Sequence, residues 1–179
     1  LIKDFRISDE NKNVKIIDVI NGELLTEQVI GRPKCVNNNL VSDINKDILK
    51  IAVINRYEKK KIALGFIRNF GLKKGAIASS IAHDSHNIVV IGCSDEEMAR
   101  AANMIIKSKG GLVTWSYNKH IHIPLPIAGL MTYENGYKIA ADYRLLVLLA
   151  KELGSELNDP FMTMGFMSLL VIPKLKLSD

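Results

Sequence analysis

The order in which apolar patterns follow one another most constrains the fold of this chain. Short strand-like runs fill the first half, and a helical period does not appear before residue 94. Strand patterns in series do not fit the repeating strand–helix rhythm of a parallel α/β protein. The sequence therefore predicts an α+β fold, in which a mixed or antiparallel sheet built from hairpins is covered by helices.

The first predicted hairpin is centred on Asn21-Gly22, between the strand-like runs at residues 14–20 and 25–30. Both residues tolerate positive φ, so this dipeptide suits a tight turn. Gly31-Arg32-Pro33 and the polar residues 37–39 then interrupt the pattern and are interpreted as a loop or linker. Further strand patterns occur in pairs, at residues 49–56 and 62–70, joined by a charged turn at 57–61, and at residues 112–117 and 120–124.

The first helix is predicted from its end signals as well as from its apolar spacing. Ser94 is a good N-cap, and Glu97 three residues later completes a capping box. Gly110-Gly111 is expected to end the helix. A second helix over residues 137–153 has apolar positions around most of its circumference, which predicts burial on more than one side.

A third helix is expected to start at Phe161, because Asp159-Pro160 combines an N-cap residue with a proline at the first helical position.

Composition and charge exclude several classes of protein. The 179 residues are 47% hydrophobic, as in an ordinary globular domain, and no run approaches the about 18 apolar residues of a membrane helix. Basic residues are in excess both before and after residue 60, whereas nucleic-acid binding requires a clustered patch, so we expect neither nucleic acid nor membrane as a partner. Cys35 and Cys93 are too few for a disulfide framework, which favours a reducing, cytoplasmic location.

A short polar segment, Ala82-His83-Asp84-Ser85-His86-Asn87, separates the apolar runs 76–81 and 88–91 and holds half of the histidines. A turn between strands uses Asp, Ser and Asn for local hydrogen bonds, but it has no need of two imidazoles. Both rings can lie on one side of the loop, where they could transfer protons, form hydrogen bonds or bind a metal. The alternative is a well-bonded turn exposed to water. A catalytic metal site needs about three protein ligands, and this segment supplies two good ones.

A second histidine pair, His120 and His122, lies two residues apart and therefore on one face of a predicted strand. Such a pair can begin a metal site, but no third ligand follows at a useful spacing. The alternative interpretation, two half-exposed strand histidines, is favoured.

Four separated motifs closely resemble the C-terminal region of bacterial and archaeal adenine deaminases. They are residues 65–87 (GFIRNFGLKKGAIASSIAHDSHN), 124–131 (PLPIAGLM), 159–163 (DPFMT) and 171–177 (VIPKLKL). The resemblance implies an enzyme of the amidohydrolase superfamily, which hydrolyses adenine to hypoxanthine and ammonia at a manganese or iron centre in a (β/α) barrel. This chain is too short for a barrel of about 250 residues.

The resemblance therefore implies that the chain is the C-terminal domain of a longer enzyme, inactive alone and without a bound metal. We expect residues 49–179 to form this domain and residues 1–48 to be a hairpin and linker joining it to the barrel. Its expected partners are adenine and the barrel of the same protein, and assembly into homo-oligomers stays open.

The histidine-containing segment matches the family motif residue by residue, so it is expected to complete or cover the purine site. His83, Asp84 and His86 are the expected catalytic residues, and Ser85 and Asn87 the expected substrate-binding residues. His120 and His122 lie where family members vary.

Three alternatives stay open at the level of sequence. The segment could instead stabilise the contact with the barrel, or the chain could be a stand-alone purine-binding or regulatory module. In the third, the four histidines would form a metal centre of their own.

Overall fold

An eight-stranded mixed sheet organises the fold of this computed structural model, which describes residues 2–58 and 61–179. The described strands are β1 (Val14–Val19), β2 (Thr26–Gly31), β3 (Lys34–Val36), β4 (Asn39–Val41), β5 (Ile48–Ile54), β6 (Ala63–Arg68), β7 (Ala76–Ser79), β8 (Ile88–Gly92), β9 (Gly111–Trp115) and β10 (His120–Pro124). Lys59 and Lys60 of the predicted turn at 57–61 lie outside the described residues.

The strand order in the sheet is β10-β9-β7-β8-β5-β6-β1-β2. All neighbours in this sheet are antiparallel except β1 and β6, which run parallel. The remaining strands, β3 and β4, form a separate hairpin. The predicted α+β fold with a mixed sheet is therefore confirmed.

Helices cover both faces of the sheet, so the central strands are buried on both sides. All seven residues of β5 are buried. Because side chains alternate along a strand, Ile51 packs into the core beneath α2 (Gly136–Glu152) and α3 (Pro160–Gly165), whereas Ala52 packs into the core beneath α1 (Asp95–Lys107).

Local signals in the sequence account for the ends of these elements. Ser94 Oγ accepts a hydrogen bond from the Glu97 amide at 3.2 Å, which is the predicted N-cap. The Glu97 carboxylate accepts from the Ser94 hydroxyl at 2.8 Å and from the Gly75 amide at 2.7 Å, instead of closing the predicted capping box. Asp159 caps α3 as predicted, by accepting from the amides of Phe161 and Met162. The hairpin predicted around Asn21-Gly22 is β1–β2.

The polar stretch interpreted as a loop or linker contains the turn of the β3–β4 hairpin. Asn37 and Asn38 there adopt left-handed φ values of 50° and 58°, which Asn tolerates better than most residues. The proposed division of the chain at residue 48 stays a prediction.

The burial predicted for α2 is wrong for this chain. Only Leu146, Leu149 and Ala150 of this helix are buried, whereas Leu145 and Leu148 are each more than half exposed. The apolar pattern of α2 therefore includes side chains that nothing in the described structure covers.

The chain end crosses back to the first hairpin. Thr26 at the start of β2 donates its amide to Pro173 and its hydroxyl to the Leu175 carbonyl, and it accepts from the Lys174 amide. Leu175 and Leu177 pack against the main core. In the described residues, no helix combines the length and the apolar character needed to cross a membrane.

Candidate functional site

The candidate site lies at one end of the sheet, where several connections meet. β5 ends where β8 begins, because Ile54 pairs with Ile88, and β10 ends beside the start of β9, because Pro124 pairs with Gly111. The segment at residues 82–87, here called the tip, joins β7 to β8 at this end. The fully buried strands below give these connections a fixed base.

The tip closes on itself through its backbone. The His86 amide donates to the Ala82 carbonyl at 2.7 Å, and His86 adopts a left-handed φ of 52°. Asp84 and Ser85 are exposed at the outer end of the turn. The tip is therefore an ordered turn with two accessible polar side chains.

His83 packs against the end of α3 and the residues that follow it. Its ring stacks on Phe166, with centroids 4.5 Å apart and an interplanar angle of 23°. Its amide donates to the Gly165 carbonyl at 2.9 Å, and the Ser168 hydroxyl donates to its carbonyl at 3.4 Å. The half-buried imidazole is thus fixed on one face by an aromatic ring.

His86 carries a polar atom that the described residues leave unsatisfied. Its Nδ1 is buried and has no hydrogen-bond partner among them. Burying such a group without a partner costs about 1–3 kcal/mol. An outside partner can reach this enclosed nitrogen only if the tip opens, whereas His86 as a whole remains partly exposed.

Asn87 differs from the other tip residues because its side chain is occupied by the protein. It is only 2% exposed, its Nδ2 donates to the Asp179 carboxylate at 2.9 Å, and its Oδ1 accepts from the Arg56 amide at 3.3 Å. Asp179 also accepts a hydrogen bond from Asn55. Asn87 therefore fixes the tip to the chain end, and its expected contact with substrate stays a prediction.

Arg56, directly after β5, belongs to the site but was not identified from the sequence. Its guanidinium donates to the His86 carbonyl at 2.9 Å and to the Ala128 carbonyl at 3.0 Å. An arginine after a buried strand carries no local signal of this role. The one indication in the sequence is that the PLPIAGLM motif contains Ala128, whose carbonyl accepts from Arg56.

The second histidine pair lies apart from the tip, on the edge strand β10. His120 is exposed, whereas His122 is half-buried with its Nε2 3.0 Å from the Ser108 hydroxyl. Burial, and to a smaller extent the charge of His120, lowers the pKa of His122. Within residues 2–58 and 61–179, no three His, Cys, Asp or Glu side chains are placed to hold a metal ion.

Comparison with known proteins agrees with the motifs. A family model described as the adenine deaminase C-terminal domain matches residues 23–179. An adenine deaminase of Methanosarcina acetivorans is 49% identical over 168 residues, which are 94% of this chain and 30% of that protein. An adenine deaminase of Borreliella afzelii is 48% identical over 99% of this chain and 33% of its own length. The chain thus spans about a third of the length of these curated relatives.

Proposed function

Because the chain belongs to the family of adenine deaminase C-terminal domains, we propose that it works as one part of an adenine deaminase. In that reaction water adds to C6 of adenine, the bond from C6 to the exocyclic nitrogen breaks, and ammonia leaves with the protons it needs. The products are hypoxanthine and ammonia. The role proposed for this chain is to complete the purine site with the residues of the tip.

Activation of the attacking water is assigned to another part of the protein. The described residues do not fit a metal centre, since no three metal-ligating side chains come together in them. The manganese or iron that the family resemblance implies would therefore be held outside this part of the chain. This division of labour agrees with a chain that spans about a third of its relatives.

The partly exposed His86, whose enclosed Nδ1 has no partner among the described residues, is the observation that carries the proposal. An imidazole nitrogen can donate to or accept from a purine ring nitrogen or the exocyclic amine, depending on its tautomer. The neighbouring Asp84 and Ser85 are exposed and offer further polar groups, while His83 is held nearby against Phe166. These groups could orient adenine and carry a proton to or from it.

The rest of the protein is the proposed partner of the exposed face of α2. Tyr137, Leu145 and Leu148 lie on one side of this helix and are 90%, 52% and 54% exposed. Exposed apolar side chains that share one side of a helix favour an interaction site. About two thirds of the length of these relatives lies outside the part that this chain matches, and we assign that portion as the occupant of this face.

Substitutions of His86 in the complete protein test its role in the purine site. His86 has a left-handed φ, so His86→Gly removes the imidazole without backbone strain, and His86→Asn keeps a polar group close to the position of Nδ1. Loss of one or two substrate contacts predicts a roughly 10- to 100-fold fall in kcat/KM for His86→Gly and a smaller fall for His86→Asn.

The matched control is His120→Ala, which removes an exposed histidine on β10 and should leave kcat/KM unchanged. If His86→Gly behaves like His120→Ala, the tip is no part of the purine site. In that case, tight binding of adenine by this chain alone would favour the binding-module interpretation.

A further inference from the structure

Arg56 joins three separate connections at the tip end of the sheet. Its guanidinium donates to the carbonyl of His86 in the tip at 2.9 Å and to that of Ala128 after β10 at 3.0 Å. A third, longer bond of 3.4 Å reaches the carbonyl of Lys109, between α1 and β9. One side chain therefore contacts residues that are up to 72 positions away in the sequence.

The three acceptor residues share an unusual backbone conformation. Among the described residues, eight that are not glycine have positive φ, and five of these are Asn or Asp. The other three are His86, Lys109 and Ala128, with φ values of 52°, 61° and 54°. These are the same three residues whose carbonyls accept from Arg56.

Left-handed φ is unfavourable for a residue with a Cβ atom, and Asn and Asp tolerate it best. Such conformations persist when the surrounding structure over-determines them, and they concentrate at functional sites. A guanidinium presents five N–H donors in a rigid plane and so can hold several carbonyls at once. Arg56 thus supplies the contacts that compensate for three strained backbone positions.

The neighbouring glycine leaves room for this arrangement. A Cβ atom at Gly129 would overlap the Arg56 guanidinium, and Gly129 itself has a φ of +77°. The Gly129 carbonyl accepts a hydrogen bond from the Ser80 hydroxyl at 2.5 Å, and Ser80 directly precedes the last residue before the tip. The connection after β10 is therefore fastened to both ends of the β7–β8 turn.

We propose that Arg56 is a positioning residue for the purine site, which acts by holding the His86 backbone so that the imidazole takes up its place. The inference rests on the function proposed above for the tip. We do not place Arg56 in contact with substrate. It would affect catalysis by fixing the position of His86, whose carbonyl it binds. Lysine cannot replace it, because a single ammonium lacks the planar fork that reaches separate carbonyls.

The test measures kinetics and thermal stability of the complete protein for Arg56→Lys, His86→Gly and the double variant. Because small displacements of a site residue are costly, Arg56→Lys is expected to lower kcat/KM roughly 10- to 100-fold. If Arg56 acts through His86, the double variant will be no slower than the slower single variant, since effects of coupled residues do not add. Multiplied losses in the double variant would overturn the inference.

A second set of variants separates positioning from stability. Lys109→Gly and Ala128→Gly relieve two left-handed positions, so adding them to Arg56→Lys should recover the unfolding temperature. They leave the His86 carbonyl without the guanidinium, so kcat/KM should stay low. If kcat/KM recovers together with stability, Arg56 is only a structural residue and the inference is wrong.

The two proposals fail in different ways. Normal kcat/KM for His86→Gly would contradict the role of the tip itself. A low kcat/KM for His86→Gly with a normal value for Arg56→Lys would overturn only the inference about Arg56.

Discussion

Lys50 shows how a single residue ties the chain start and α1 to the centre of the sheet. It is fully buried in β5, and its Nζ lies 2.6 Å from the Asp95 carboxylate and 2.8 Å from the Phe5 carbonyl. Burial lowers the pKa of Lys50, while Asp95 opposes this effect by favouring the charged form. The cost of burying the ammonium is offset only while both partners are in place.

We expect Lys50→Met to lower the free energy of unfolding by about 3 kcal/mol, because it keeps the aliphatic stem but leaves Asp95 without its charged partner. Lys46→Met is the matched control, since the Lys46–Asp43 pair has a lysine side chain that is 62% exposed. An exposed pair of this kind contributes less than about 1 kcal/mol. Urea unfolding of both variants is the measurement, and equal losses would contradict this account of Lys50.

Some residues of the candidate site can be identified from their neighbours in the sequence, and others cannot. His83 and His86 stand out because a plain turn does not need two imidazoles, and Asp84 and Ser85 lie between them. Arg56 and Phe166 could not be identified in this way, since their roles depend on contacts across 30 and 83 positions of sequence with His86 and His83. Only the fold brings these partners together.

At the scale of the elements, helix ends and hairpins were predictable because their signals lie within a few residues. The N-caps at Ser94 and Asp159 are examples. Asp159 has a further role that its sequence position does not reveal, because both its oxygens accept from the Tyr143 hydroxyl, at 2.7 and 2.8 Å. This bond links α2 to α3. Burial of the phenol, and to a smaller extent the bond to Asp159, raises the pKa of Tyr143.

The error over α2 has a physical reason. Apolar periodicity reports which side chains avoid water in the complete protein, and it does not report which partner covers them. Leu145 and Leu148 remain exposed in the described part of the chain. The pattern therefore agrees with the proposal that the remaining portion of the protein packs on this helix.

Substitution of Leu148 tests this docking face. Leu148→Glu should leave the unfolding temperature of this chain alone nearly unchanged, because the side chain is already 54% exposed. In the complete protein it should lower that temperature, since a charge would be buried in the contact. Ile106→Glu, on the α1 side of the sheet at 46% exposure, is the control and should be neutral in both settings. If this chain alone forms a dimer that Leu148→Glu dissociates, a second copy covers the face and the proposal is wrong.

At the scale of the whole molecule, the sequence predicted the fold class but not the order of the strands. The parallel pairing of β1 with β6 joins residues such as Ile17 and Ile67, and no local pattern specifies it. β5 also lies between β6, its neighbour in sequence, and the more distant β8. Such long-range pairings are decided by how the strands bury both faces of the sheet.

The same arrangement places the connections after β5, β7 and β10 at one end of the sheet, where Arg56 joins them. We propose that this end contributes to a purine site whose water-activating centre lies elsewhere in the protein. Under this proposal catalysis is divided between two parts of one protein, and we expect neither part to suffice alone.

The most direct test of this division is an assay of this chain by itself for ammonia release from adenine, with and without added manganese. Circular dichroism and cooperative unfolding would first establish that the chain is folded. We expect no turnover above the uncatalysed rate under either condition, since the described residues bring together no set of metal ligands. Sustained conversion of adenine to hypoxanthine by the folded chain would contradict the account.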